Sequence, residues 1–407
     1  VLPATPTPRR PRYDALDAWR GLACLCVVVY HCTNSYAASH EFLDRVRDHG
    51  GSALDWLLVL TSKLWVGVPV FFVISGYCIA ATADAARDKP RPAATFFLRR
   101  LKRIYPPLWA YLAVCLGLLA LLPAWAWFRP VPGYSDFMFR PEHFSFWQWV
   151  GSFTLTEEWR PYLVGPPKMH YSIQLWTLCY EEQFYVVVGL ILLVARRWLF
   201  PLLTLVTAIV FLNVADLSAW PGLRAYQWKA DGLFLNGLWL SFAAGVAVYY
   251  RVARATPTIA RCLEVFLLVL FLWSLRAVPG WWAFASNGPG NMVIAFAFAV
   301  LLCGLHRFDA ALSKARWLAP LRWCGRMCYS LYLVHLPVTL FGSSWLHHAG
   351  FSTPAAALFV VVPVCTAASL LAAWGFYHPV EKRFLNAPQR PITQQTDAAE
   401  RREVVAR

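Results

Sequence analysis

"LDAWRGLACLCVVVYH", residues 16–31, has the apolar density of a bilayer-crossing helix, yet it holds Asp17, Arg20 and His31. Ionisable groups in such a segment are costly and face a cavity or a partner rather than lipid. Eleven residues separate Arg20 from His31, just over three helical turns, so both fall on one stripe about 16 Å apart along the axis. Asp17 lies one turn before Arg20, within reach as its partner. Arg20, near the inner end, can snorkel to the interface. His31 is too deep for that, and reads either as a functional imidazole or as a satisfied packing histidine.

The rest of the chain fits a membrane setting. Of its 407 residues 58% are apolar and 14% charged, against roughly 25% charged in ordinary soluble domains. The Pro/Arg-rich opening shows no secretory signal, so the first helix is expected to be retained. Ten segments have the length and apolarity to cross a bilayer of about 20 helical residues: 16–36, 64–83, 104–123, 171–195, 198–216, 232–250, 259–275, 289–305, 323–345 and 353–377. The predicted fold class is an all-α integral membrane protein, a single bundle of about ten transmembrane helices. Three parts are expected: a cytoplasmic tail over 1–15, a membrane domain over 16–385 with an outer loop at 124–170, and a polar tail over 386–407.

Charge placement orients the bundle. With the first residues inside, 26 of the 37 Lys and Arg fall on inner segments and ten on outer ones, which predicts both termini in the cytoplasm. The formal charge of +15 is thereby assigned to membrane topology, and no nucleic-acid partner is expected. The 11 cysteines lie in or beside apolar stretches without zinc-site spacing, so free buried thiols and no metal are expected. The outer loop is rich in tryptophan (Trp125, Trp127, Trp147, Trp149, Trp159), as either a headgroup belt or a substrate platform.

Two further ionisable groups reach the depth of His31. Glu181, in "SIQLWTLCYEEQFYVV" (172–187), lies about 15 Å below the outer boundary. His335, in "CGRMCYSLYLVHLPV" (324–338), precedes Pro337, whose missing amide loosens the turn before it. Three such groups on three helices predict one polar pocket, although an ion pair to Arg20 or another buried cation is an equal reading of Glu181. Glu182 points elsewhere. "FFLRRLKRIYPPLW" (96–109) leads along the cytoplasmic face into the third helix. Its Arg100 and Arg103 share a face and suit phosphate oxygens, or serve as an ordinary positive-inside anchor.

Taken together, "YDALDAWRGLACLCVVVYH", "VPVFFVISGYCIA" (68–80), "FFLRRLKRIYPPLW", "LWTLCYEEQFY" (175–185), "MCYSLYLVHLPV" (327–338) and "HPVEKRF" (378–384) resemble, in order, the motifs of the membrane-bound acyltransferase-3 family. Thr177 stands where that family often has Ser, and no extra hydrolase-like domain is expected after the last helix. The resemblance implies an O-acyltransferase in a bacterial plasma membrane. Its donor substrate would be cytoplasmic acyl-CoA, acetyl-CoA by preference, and its acceptor a hydroxyl of a glycan or small molecule. It implies catalytic weight for His31, Arg20 and Glu181, and donor binding by Arg100, Arg103, Ser75 and Gly76. Asp17, Trp176, Tyr185 and His335 would support the site. In this reading His31 is a general base, since an ordinary imidazole, with a pKa of about 6.5, is largely neutral at pH 7. A proton-coupled carrier built from the same His, Glu and Arg residues is the rival reading. A homo-oligomer is left open.

Overall fold

The computed structural model describes residues 13–37, 40–121, 141–214, 232–278, 280 and 288–385. The tails over 1–12 and 386–407, and the 122–140 part of the outer loop with Trp125 and Trp127, lie outside the described residues. Among those described, the chain is predominantly helical and contains no strand. The first half comprises α1 (Leu16–Ala37), α2 (His40–His49), α3 (Ala53–Thr61), α4 (Gly67–Ala86), α5 (Pro92–Leu121), α6 (Phe146–Thr154) and α7 (Trp176–Val194). The second comprises α8 (Leu199–Val214), α9 (Leu238–Ala253), α10 (Pro257–Leu275), α11 (Gly288–Leu305), α12 (Asp309–Lys314), α13 (Ala319–Arg326) and α14 (Cys328–His348). A last rod joins α15 (Pro354–Ala356), α16 (Val362–Phe376) and α17 (Lys382–Phe384) through π-helical stretches at Ala357–Val361 and Tyr377–Glu381.

Six helical stretches are apolar enough to cross a membrane by length and composition: Ala53–Ala86, Ile173–Val194, Arg196–Val214, Pro257–Leu275, Gly288–Lys314 and Pro354–Phe384. α1, α5, α9 and α14 fall outside that set, because polar side chains interrupt the first two and the last, and α9 has only 16 residues.

Several boundaries differ from the expected ones for local reasons. The basic stretch before residue 104 is the first part of α5 itself, one helix from Pro92, a residue suited to a first helical turn. α9 begins six residues later than expected, after Gly232 (φ 83°) and Gly237 (φ 100°) turn the chain in the left-handed region. The 323–345 segment breaks at Met327, which separates α13 from α14. Two helix crossings are set by glycine. A Cβ on Gly325 would stand 1.7 Å from the Asp17 carbonyl oxygen, and one on Gly76 2.0 Å from that of Phe242, so α13 lies tight against α1 and α9 against α4.

Over its described residues, the segment before α7 is held by local side-chain contacts. Ser145 and Gln148 close a capping box on α6. Beyond it, the buried Arg160 guanidinium forks onto Glu157 (2.9 and 2.8 Å) and donates to the carbonyls of Val164 and Pro166. Trp149 packs on Phe144 and Tyr171, each ring 5.2 Å away. At the start of α1, the Asp309 carboxylate accepts the backbone N–H groups of Asp14 and Ala15, holding the helix that carries Arg20 and His31.

Candidate active site

A cavity of about 410 Å³ lies among α1, α4, α5, α7 and α14. Nine of the eleven residues singled out above line it: Arg20 and His31, Ser75, Arg100 and Arg103, Trp176, Glu181 and Tyr185, and His335. The other two do not. Asp17 stands behind Arg20, its Oδ1 2.9 Å from Nη1. Gly76 faces the Phe242 carbonyl of α9, so the close approach it permits is that of another helix rather than of a ligand. None of Trp147, Trp149 and Trp159, the described tryptophans of the expected outer loop, lines the cavity. Trp65, from the turn before α4, does so together with Trp176.

One end is cationic. Arg20 is held by Asp17 and by the Cys78 sulfur, 2.9 Å from Nη2. Arg100, 9% exposed, donates to Thr82 Oγ1 (2.8 Å) and lies over the rings of Tyr185 (5.3 Å) and Phe96 (5.8 Å). Its Nε has no hydrogen-bond partner among the described residues. Among the described residues, no carboxylate forms an ion pair with Arg100 or Arg103, in contrast to Arg20 and Arg254. A buried guanidinium with a spare donor and no counter-ion suits an anion entering the cavity.

Glu181 sits between the ends. Its Oε1 accepts from Ser75 Oγ (2.6 Å) and from the Tyr185 hydroxyl. The ion pair to Arg20 does not form: among the described residues Glu181 has hydroxyl donors in place of a cation, and Arg20 is taken by Asp17. Glu182 lies outside the cavity lining.

The other end is built from imidazole and aromatic rings. The His31 ring lies 5.0 Å from that of Tyr30 and 5.3 Å from that of His335, tilted 48° to the latter. Pro337 fixes the local structure of α14. A residue at 337 would ordinarily bond its N–H to the Leu333 carbonyl, and proline cannot. Gln174 Nε2 donates to that carbonyl instead, at 3.0 Å. One turn away, His335 Nδ1 lies 3.0 Å from the Leu331 oxygen and 2.8 Å from that of Tyr332. The start of α14 is held by Glu381, whose Oε2 accepts from the Ser330 N–H (2.8 Å) and Oγ (2.5 Å).

Sequence reasoning passed over Tyr332, Gln174 and the role of Glu381. Tyr332 lines the cavity and lies one turn before His335, an i, i+3 spacing that could have found it. Gln174 lies 159 residues from Leu333, and no local pattern signals that contact. All eleven cysteines are free, and all but Cys262 are at least half-buried. No group of three His, Cys, Asp or Glu among the described residues is placed to hold a metal ion.

The family model described as an acyltransferase domain matches residues 13–378, from the turn before α1 to the last π-helical stretch. The chain belongs to this acyltransferase family. It is 24% identical over 356 residues to the peptidoglycan O-acetyltransferase OatA of Listeria monocytogenes, an alignment covering 81% of this chain and 50% of that one. Similarity to the O-acetyltransferase OatA of Staphylococcus aureus is 23% over 355 residues, covering 82% and 52%. The chain thus spans about half the length of these curated relatives. Nodulation protein 10 of Rhizobium leguminosarum is 29% identical over 329 residues, covering 76% of this chain and 79% of that one. No solved structure matches. Family membership and the apolar helices make this member of the family a multi-pass membrane protein.

Proposed function

We propose that the chain is a membrane O-acyltransferase that moves a short acyl group, acetyl by preference, from acyl-CoA to a hydroxyl of a glycan or glycoside. The observation that carries this reading is a single cavity with two chemically different ends. Arg100 and Arg103 line it with no carboxylate partner among the described residues, and His31 and His335 line it with their rings 5.3 Å apart. A donor with an anionic handle and an acceptor with a transferable proton require such a division. The bacterial O-acetyltransferases above support the acyl group and the glycan class of acceptor.

The membrane domain is proposed to span 16–385 as ten helices with both ends in the cytoplasm of a bacterial cell. The arginine end then opens toward the cytoplasm, where Arg100 Nε and Arg103 hold the donor's phosphates and Ser75 lines the passage inward. Arg20, pinned by Asp17 and Cys78, supplies positive charge along that passage. Glu181, hydrogen-bonded to Ser75 and Tyr185, keeps both side chains oriented, with Tyr185 beneath the Arg100 guanidinium. Neutral His31 accepts the hydroxyl proton as the alcohol oxygen bonds to the acyl carbon. The carbon–sulfur bond breaks, the thiolate takes up that proton, and ester plus free thiol result. Base action of this kind contributes about 10² to 10⁴ in rate, and holding both reactants in a closed site contributes further.

The test is thiol release. Purified protein given acetyl-CoA and a cell-envelope glycan extract should liberate CoA thiol and add an ester mass to the glycan. Transport of solute by reconstituted protein with no thiol release would replace this reading with the carrier.

A further inference from the structure

We propose that Arg196 and Arg197, together with Arg87, form a site for the headgroup phosphate of an anionic phospholipid, where the turn between α7 and α8 meets the turn between α4 and α5. The site is separate from the cavity described above, and the proposal holds whichever reaction that cavity performs.

A second cavity, of about 380 Å³, is lined by Arg87, Asp88, Arg196 and Arg197. Its charge balance follows from the ion pairs around it. Arg87 Nε lies 3.3 Å from the buried Asp84 carboxylate and 3.7 Å from that of the exposed Asp88. Arg254 forks onto both oxygens of Asp84, at 2.9 and 2.5 Å. These two acids therefore balance Arg87 and Arg254. Arg196 and Arg197 form no ion pair among the described residues, so their positive charge remains. Arg196 is set in place by the opposite turn: its Nη1 donates to the carbonyl oxygens of Arg87 and Lys89, at 3.4 and 3.3 Å. Its other N–H groups are left for a ligand. Planar guanidinium forks with no acid of their own match phosphate oxygens.

The flanks of the site decide what carries that phosphate. Val194, the last residue of α7, is 82% exposed, and Trp198, just before α8, is 61% exposed. The stretch Arg196–Val214 is apolar enough to cross a membrane, and only 17% of it is buried in the protein. In a multi-pass membrane protein such a surface meets acyl chains, and an arginine pair at its end stands at headgroup depth. A soluble anion would gain nothing from Val194 and Trp198. A phospholipid uses both features, with its phosphate on the guanidinium groups and its chains along the apolar side chains. Bound there, it bridges two turns whose helices α4, α5 and α7 help to enclose the first cavity.

The test measures lipid binding to the detergent-solubilised chain by native mass spectrometry, with phosphatidylglycerol, phosphatidylcholine and inorganic phosphate as probes. An arginine at the membrane surface contributes about fivefold to binding an anionic lipid, so the anionic phosphatidylglycerol should bind about 30-fold more tightly than the zwitterionic phosphatidylcholine. R196Q/R197Q should remove most of that preference. K314Q/R316Q, which removes the same charge from residues outside the pocket lining, should leave it within about twofold. Excess inorganic phosphate should not displace the lipid. Equal binding of the two lipids would overturn the proposal, as would a preference that survives R196Q/R197Q. An equal loss in K314Q/R316Q would also overturn it, by showing attraction to surface charge in general, and displacement by inorganic phosphate would do so by showing a site for a free anion. Should R196Q/R197Q lose helix content by circular dichroism, R197Q decides alone. It should weaken phosphatidylglycerol binding about fivefold, and a change below about twofold would overturn the proposal.

Discussion

Helices α10 and α14 are nearly equal in length, 19 and 21 residues, and are built for opposite surroundings. α10 lies in a stretch of mean hydropathy 2.0 of which 11% is buried in the protein, so nearly all of its apolar surface faces outward. α14 does not reach the apolar threshold for a membrane span, yet eleven of its residues are buried, among them His335 and four hydroxyl-bearing Ser and Thr side chains. Of these two, the helix that looks more like a membrane helix contributes nothing to the cavity lining. Lipid selects for apolar side chains all round, whereas a helix enclosed by others can carry polar groups if partners complete them.

Substitutions can break or sharpen that contrast. The largest effect is expected at His31 in the enclosed α1, where His31→Ala should lower acceptor-dependent thiol release by about 10² to 10⁴-fold with helix content unchanged by circular dichroism. Near-normal turnover would mean that α1 carries its polar stripe for packing alone. Next, Arg100→Gln removes a charge-assisted contact worth about 1.5–3 kcal/mol and should raise the KM for acetyl-CoA at least about tenfold while sparing that for the acceptor. Equal changes in both would reduce Arg100 to a topological anchor. Gln174→Leu strips the Leu333 carbonyl of its donor, which costs about 1–3 kcal/mol. Melting of the detergent-solubilised protein should show it, and an unchanged transition would mean that α14 does not need the repair. The smallest effect belongs to α10, where Val269 is 54% exposed. Val269→Ala should change stability by no more than about 0.5 kcal/mol and leave turnover within twofold, and a larger loss would show that this face is covered by something other than lipid.

Parts of the site were readable in the chain because they are local or because they break a rule of their surroundings. Asp17 and Arg20 are three residues apart, and helical geometry alone pairs them. His31, Glu181 and His335 stand out as ionisable groups within apolar runs, and the cavity collects all three. The partner of Glu181 could not be read that way. Ser75 lies 106 residues away, and choosing it over Arg20 depends on how α4 and α7 meet. Gly76 sits in a motif that reads as a ligand contact, but its side faces Phe242 of α9, which only the helix crossing reveals.

By itself, then, the sequence determined that this is an all-helical membrane protein, which helices carry charge into the bilayer, and where the basic residues collect. Those properties depend on transfer free energies and on the 3.6-residue period, which act on each segment separately. Only the tertiary structure decided that Arg100 has no counter-ion among the described residues, that Gln174 repairs the break at Pro337, and that the His335 ring packs 5.3 Å from that of His31. Each of these depends on contacts between residues far apart in the chain, and no single helix contains the information that sets them.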